Sequence, residues 1–514
     1  MTAAALPSVR PRIWSAQGAI AGVAGGLVFG LAHIELGSLT TIASIVRVES
    51  RAVGFFVHMA IAAIVGATFS LFVQRQRAGV GETLLWGLAY GAFFWFIGPL
   101  TLLPSFLGDG VNWTVPAAQG AFPSLMGHLL YGATAALALV ALRRRPMAKP
   151  STGDLVGGIL AGLLAAWITG LLLDAQGWLP RFTALPADAH TAVAWLTLLA
   201  TGLLSGALYA TIYGGRDTGP GPALVRGLAF GFLWWVVVAR TVLPLLGADK
   251  LPWRITELRE DYATLVAYLL FGAFLAFWNG RLRSLWRLLF ADPVTRTDEE
   301  GPGARGLRAI GRGAEAGVLG GLVFTVVMLQ VGALEGVASL IRSDSATTGF
   351  FVHLVIATII GSSYGILFRE QSLDLGSALG WGLSYGFFWW LLGPQTLAPL
   401  IRGFAPNWSA DVSGALTANL VGHLGYGIAV ALVAFHYERK FNPWWIARRV
   451  TDAARVARRR DLLLTSAPAL WALVVFLAIA LPVFLGTPPD GAPATPGDAA
   501  YPDAQPPTEP TVYP

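Results

Sequence analysis

Four histidines raise the chemical question. His58 ends Gly-Phe-Phe-Val-His at 54–58, and His128 sits in Gly-His-Leu at 127–129; His353 and His423 occupy the same two contexts at 349–353 and 422–424. Each lies a short way inside an apolar segment. A helix rises 1.5 Å per residue, which puts each ring about 10 Å below the segment's end. A polar side chain at such a depth in lipid is costly and often functional. Three chemistries suit two imidazoles at matched depth. They can hydrogen-bond to backbone carbonyls, or to neighbours such as Tyr90 and Tyr131, and fix helix packing. They can ligate a metal or the iron of a b-type haem, with Gly54, Gly66 and Gly127 leaving room for a flat cofactor. They can line a polar path or bind a proton or small ligand. The residues alone leave all three open.

A second constellation is also repeated. Gly98-Pro99, Pro104 and Asn112-Trp113 return as Gly393-Pro394, Pro399 and Asn407-Trp408. Proline interrupts a helix and frees carbonyls. Freed carbonyls bind ions only where they line a cavity. The simpler expectation is structural: a kinked helix and an interfacial loop anchored by tryptophan. Arg240 stands where the first copy has Leu100, in an otherwise apolar stretch, and is expected to pair with Asp261 or snorkel outward. His33 and Glu35 carry less weight, because Met328 and Gln330 replace them in the later copy. The chain has no phosphate-binding loop, zinc-protease motif or nucleophile elbow. No carboxylate lies deep in a span of every copy, which argues against proton- or sodium-coupled transport.

The elements that carry these residues belong to a membrane. Of 514 residues, 55% are hydrophobic and 12% are charged, against about a quarter charged in soluble domains. About 20 apolar residues cross the hydrocarbon core. Twelve such segments precede residue 440 and a thirteenth follows. The expected fold is all-α and polytopic, with about 13 transmembrane helices. The net charge of +6 comes from short basic clusters beside apolar segments. Such clusters orient spans and meet lipid headgroups, so lipid is the expected partner and nucleic acid is not. Cysteine is absent, which excludes disulfides, thiolate metal sites and iron–sulfur clusters.

The segments repeat. Residues 18–142 align with 313–437 without a gap, with roughly four positions in ten identical. A diverged copy lies between: Gly206, Gly227, Gly231, Pro244 and Trp253 fall on Gly66, Gly87, Gly91, Pro104 and Trp113, but Leu198 and Tyr268 replace His58 and His128. Four spans per copy return the chain to one side, so the copies run parallel, either around an axis along the membrane normal or in a row. The expected organisation is a cytoplasmic N-terminus at 1–16, a first unit at 17–145 and a diverged second unit at 154–285. A cytoplasmic linker at 286–312 leads to a third unit at 313–437. A basic amphipathic interfacial segment at 438–463, with Trp444, Trp445 and Ile446 at the headgroups, precedes a final span at 464–486. The proline-rich tail at 487–514 is expected to be disordered and outside. Arg75, Arg77, Arg143 to Arg145, Arg281, Arg283 and Arg287 share one side, the expected cytoplasmic one. Glycines spaced by three and four, such as Gly18, Gly22 and Gly26, are expected to let helices approach closely.

A span carrying His58, a Trp-Gly-Leu span ending in Gly98-Pro99 and Pro104, and a Gly-His-Leu span at 127–129 together resemble the YagU-like family of bacterial inner-membrane proteins. The resemblance covers the first and third units well and the second in outline. It implies a bacterial inner membrane and transfers no reaction. The leading expectation is a non-enzymatic membrane subunit or scaffold that binds a partner or cofactor through its helix surfaces, possible partners being other membrane subunits. A channel or facilitator through or between the units is the alternative, and a haem- or metal-binding electron carrier the third.

Overall fold

The computed structural model describes residues 11–486 except 75, 77–78, 144–149, 187, 214–218, 248–249, 291–301, 442–447 and 464. For 11–14, 283–290, 302–303 and 448–449 it describes the backbone alone. The expectations for residues 1–10, Arg75, Arg77, Arg144, Arg145, most of the linker, Trp444 to Ile446 and the tail 487–514 lie outside the described residues, as do those for the side chains of Arg283 and Arg287. Every regular element among the described residues is helical.

The first unit contains α1 (Pro11–Glu35), α2 (Arg51–Phe72), α3 (Val80–Ile97) and α4 (Phe122–Leu142). The second contains α5 (Thr152–Asp174), α6 (Thr191–Tyr213), α7 (Pro220–Trp234) and α8 (Tyr262–Phe290). The third contains α9 (Pro302–Val331), α10 (Ala346–Leu367), α11 (Leu375–Leu392) and α12 (Thr417–Lys440). A helix outside the units, α13 (Arg448–Leu463), leads to α14 (Ala467–Leu485). Among the described residues, twelve helices are long and apolar enough to span a membrane. The chain is an all-α, polytopic membrane protein. One of the thirteen expected spans, α11, falls outside that group because Ser377, Ser384, Tyr385 and three tryptophans dilute its apolar residues. It nevertheless packs on α12 as α3 packs on α4.

Each unit has the same internal contacts: first helix on second, third on fourth, first on fourth. Glycine explains how close they come. A Cβ on Gly22 would lie 2.2 Å from the Ala62 carbonyl oxygen, and one on Gly87 would lie 2.2 Å from that of Gly132. In lipid such close backbone packing replaces the hydrophobic effect as the force between helices. Helix starts are fixed locally as well. Ser50 Oγ accepts from Val53 N at 3.4 Å, and Ser345 Oγ accepts from Thr348 N at 3.3 Å, each satisfying one orphan donor of a first turn.

The final span sits among the units. Helix α14 packs against α3, α7 and α11, the third helix of each unit. Trp471 meets Trp381 edge-on at 5.2 Å, and Phe476 meets Trp95 at 6.0 Å. At its C-terminal end the orphan carbonyls find donors from the units. Gln119 Nε2 donates to Val483 O at 2.9 Å and to Gly486 O at 2.8 Å. Arg259 Nη1 donates to Gly486 O at 2.8 Å and also reaches the Leu485 carbonyl. Gln119 and Arg259 are repeat-equivalent; the third equivalent is Gly414, where a Cβ would come 3.6 Å from the same Leu485 oxygen. Matching positions of three units thus surround one helix end, and the units are grouped around α14.

One expectation about the basic segment needs correcting. Residues 438–440 complete α12, and three arginines of α13 meet protein. Arg458 pairs with Glu370, Arg459 Nε lies 2.7 Å from Asp374 Oδ2, and Arg455 Nη2 donates to Glu438 O at 2.8 Å. Carboxylates at the α10–α11 turn offer a nearer partner than a headgroup.

Candidate functional site

The site lies where α1 joins α2 and α3 joins α4. His58 is buried in α2, about two turns past its start, and its Nε2 donates to Gly26 O of α1 at 2.9 Å. His128 is in α4, and its Nδ1 donates to Ser124 O at 2.8 Å. The third unit repeats both bonds: His353 Nε2 to Gly321 O at 2.9 Å, and His423 Nδ1 to Asn419 O at 2.9 Å. The backbone partners expected of the histidines are therefore present. The tyrosines serve elsewhere: Tyr131 donates to Ala62 O at 2.7 Å, and Tyr90 lies 2.6 Å from Thr68 Oγ1.

The two histidines of a unit are brought close, but a phenylalanine lies between them. The Phe29 ring is 5.3 Å from His58 and 4.9 Å from His128, both edge-on. Phe324 is 5.3 Å from His353 and 4.7 Å from His423. This explains the glycine before the second histidine. A Cβ on Gly127 would lie 1.8 Å from the Phe29 ring, and one on Gly422 would lie 1.9 Å from Phe324. The room expected for a flat cofactor is taken by protein. Gly127 faces Phe29, Gly54 faces the Leu39 carbonyl and Gly66 faces the backbone of Gly18 and Gly22. The residues do not fit a haem held between the pair. Among the described residues no group of three or more His, Cys, Asp or Glu side chains could hold a metal ion.

The Gly-Pro constellation is structural in geometry. Gly98–Leu102 and Gly393–Leu397 form π-helical turns that continue into further helix. Thr101 Oγ1 donates to Phe96 O at 2.9 Å, and Thr396 Oγ1 donates to Leu391 O at 2.9 Å. Each threonine thus reaches back to the carbonyl five residues earlier. Trp113 and Trp408 each donate Nε1–H to that threonine's Oγ1 at 3.1 Å. Asn112 N donates to Leu100 O at 3.2 Å, and Asn407 Oδ1 accepts from Ser409 N at 3.0 Å. The repeated threonine is the residue the motif lacked; it aligns across all three units as Thr101, Thr241 and Thr396.

His33 joins the site in the first unit alone. Its ring stacks on Phe29 at 4.0 Å, meets His58 at 4.8 Å, and sets Nδ1 2.6 Å from Ser38 Oγ. Met328 and Ala333 stand at the matching positions of the third unit, so a search for repeated residues passes His33 over. The three histidines line a cavity of about 270 Å³ whose other walls are mostly apolar. Its rim carries the exposed Ile61, Leu102 and Phe106, side chains that meet lipid in a membrane. His33 also borders a second hollow of about 350 Å³ at Arg51 and Phe55.

The same place is built differently in the other units. In the third, Trp389 replaces Phe94, Ile360 replaces Val65 and Leu416 replaces Ala121, each adding bulk. Gln395 replaces Leu100 and is buried, with Ser413 Oγ donating to its Oε1 at 2.6 Å. Arg402 replaces Leu107 and ties the rim across, donating to Gly336 O at 2.6 Å and Ser339 Oγ at 3.0 Å. In the second unit Arg240 pairs with Asp261 at 2.6 Å, as one of the two expectations held. Asp261 Oδ1 also lies 2.6 Å from Arg181 Nε, an ion-pair contact without hydrogen-bond geometry. Arg240 and Asp261 occupy the positions of Leu100 and Ala121, two residues of the first unit's cavity wall. No family model, curated protein or solved structure matches the chain.

Proposed function

We propose that this chain is a non-enzymatic membrane subunit whose first unit binds an apolar ligand drawn from the bilayer, with the second and third units serving as its frame. The cavity at His33, His58 and His128 carries this reading. It is the place where open volume, apolar walls and convergent polar groups coincide, as in small-molecule sites generally. The packing of α14 among the units supports the frame role, and it leaves little for a solute path at their centre. It also changes the partner expectation, because the final span is engaged by its own chain. We further propose the bacterial inner membrane as its location, in keeping with the YagU-like resemblance. Arg143 and Arg281 support a cytoplasmic place for the loops after α4 and α8, and with them for the N-terminus.

The test is extraction of the full chain into lipid nanodiscs, followed by native mass spectrometry. A retained small molecule, lost on Ala121→Leu, is the expected outcome. A ligand-free protein that carries solute across reconstituted vesicles would overturn the reading in favour of a facilitator.

A further inference from the structure

The hydrogen-bond partners of the histidines restrict what the cavity can hold, given that it is a ligand site. A carbonyl oxygen only accepts. The ring nitrogen facing it must therefore carry the proton. Gly26 O fixes the proton of His58 on Nε2, and Ser124 O fixes that of His128 on Nδ1. In each neutral ring the other nitrogen then holds a lone pair. The Nε2 of His128 points toward Gly98, where a Cβ would be 3.5 Å from it, and both residues line the cavity. The cavity thus presents acceptors. His33 differs: its Nδ1 lies 2.6 Å from Ser38 Oγ, and in the tautomer whose Nδ1 accepts from that hydroxyl, Nε2–H is a donor. One donor and two acceptors sit in a hole whose lining is mostly apolar, with Ser38, Thr41, Asn112, Ser124 and Tyr131 as its other polar residues.

We propose that this site takes the hydroxyl end of an amphiphile, a long-chain alcohol or alkylphenol. The ligand's O–H donates to His128 Nε2 or His58 Nδ1, and its oxygen accepts from His33 Nε2–H. A ketone, an ether or a bare acyl chain leaves the acceptors unpaired. An unpaired buried acceptor is penalised, so the site selects against such ligands. The volume of about 270 Å³ holds a headgroup and a short length of chain, at about 30 Å³ for each water-sized group. The remaining chain leaves past Ile61 and Phe106 into lipid. The third unit keeps the two acceptors but has Met328 in place of the donor and bulkier walls. The proposal therefore concerns the first unit alone.

The experiment uses the full chain in phosphatidylcholine nanodiscs, with empty nanodiscs subtracted. Saturable binding of labelled 1-dodecanol is competed by unlabelled dodecanol, by its methyl ether, and by 4-nonylphenol with its methyl ether. Both hydroxyl compounds should compete about tenfold better than their ethers, the effect of one hydrogen bond. His128→Phe should weaken dodecanol binding about tenfold, and His423→Phe should leave it unchanged. Ala121→Leu, which leaves every histidine in place, should abolish it and keeps the test valid should His128→Phe fold poorly. Equal competition by alcohols and ethers overturns the hydroxyl chemistry while leaving an apolar binding site intact. Absence of saturable binding by any probe, with no lipid retained, overturns the binding function itself. Loss on His423→Phe equal to that on His128→Phe would overturn the assignment to the first unit.

Discussion

The first and third units share their histidines, the phenylalanine between them and both backbone hydrogen bonds, yet one surrounds a cavity and the other a filled wall. The shared part is a packing device. Phe29 and Phe324 lock three helices together through a glycine that admits the ring. The different part lies one layer outward, where Val65, Phe94, Ala121 and Leu107 face Ile360, Trp389, Leu416 and Arg402. Repeated residues therefore mark the scaffold, and the unrepeated ones mark the site. The second unit extends the lesson by filling the same place with an ion pair.

That ion pair offers the largest test. Arg240→Leu should destabilise the protein by about 3 kcal/mol, because it leaves the largely buried Asp261 short of its partner. The double change Arg240→Leu with Asp261→Ala restores the first unit's residues at both positions. It should return stability to within about 1 kcal/mol of the parent, since replacing both partners removes the stranded charge. Denaturant unfolding in detergent measures both. If the double variant were as unstable as the single one, the two positions would not be a matched alternative to an apolar wall.

The locking glycines come next. Gly422→Ala forces Phe324 to move within a crowded wall, and overpacking of that kind costs about 2–3 kcal/mol. Phe29 borders the cavity, so Gly127→Ala should let its ring swing into open space at a cost of about 1 kcal/mol. Equal costs would mean that the third unit has comparable room. A smaller effect is expected from Leu416→Ala, which trims the half-buried wall of the third unit. It should cost about 1–2 kcal/mol and leave ligand stoichiometry unchanged, because Met328, Ile360, Trp389 and Arg402 still close the place.

Much of this architecture is legible in the residues. Apolar length marks the helices, and the recurrence of 18–142 at 313–437 marks the units. Glycine spacing marks the close contacts, and Arg240 in an apolar stretch announces a partner. Other features leave no such trace. In water a polar face tells which side of a helix is outside; in lipid both faces are apolar, so nothing in α14 says that it sits among the units. Phe29 aligns with Phe324, but a phenylalanine in a span is unremarkable until its glycine is seen against it. His33 is silent for the opposite reason, since it has no counterpart in the other units. The partners of α13 come from a turn nearly ninety residues earlier, beyond the reach of local pattern.

The smallest expected effect concerns that helix and again separates the units, because Glu370, Asp374 and Glu438, which α13 meets, all belong to the third. Burial raises the Glu370 carboxyl, but the hydrogen bond and charge of Arg458, with the charges of Arg369 and Arg305, outweigh it and hold the group below its usual range. At Asp374 burial is likewise outweighed, by hydrogen bonds from Ser377 and by Arg459. Both carboxylates are thus more acidic folded than unfolded. Their contribution is present above the unfolded values, about 4.3 for Glu and 3.9 for Asp, and is lost as pH falls through the lower folded values. The arginines are half-exposed, so solvent screening keeps the contribution small. Hydrogen exchange in α13 should therefore rise below about pH 4 while exchange in α1 to α4 stays constant. Glu370→Gln with Asp374→Asn should give the fast exchange already at pH 7. Exchange in α13 unaffected by both acid and the double change would show that apolar contacts hold the helix, and the salt bridges would then be incidental.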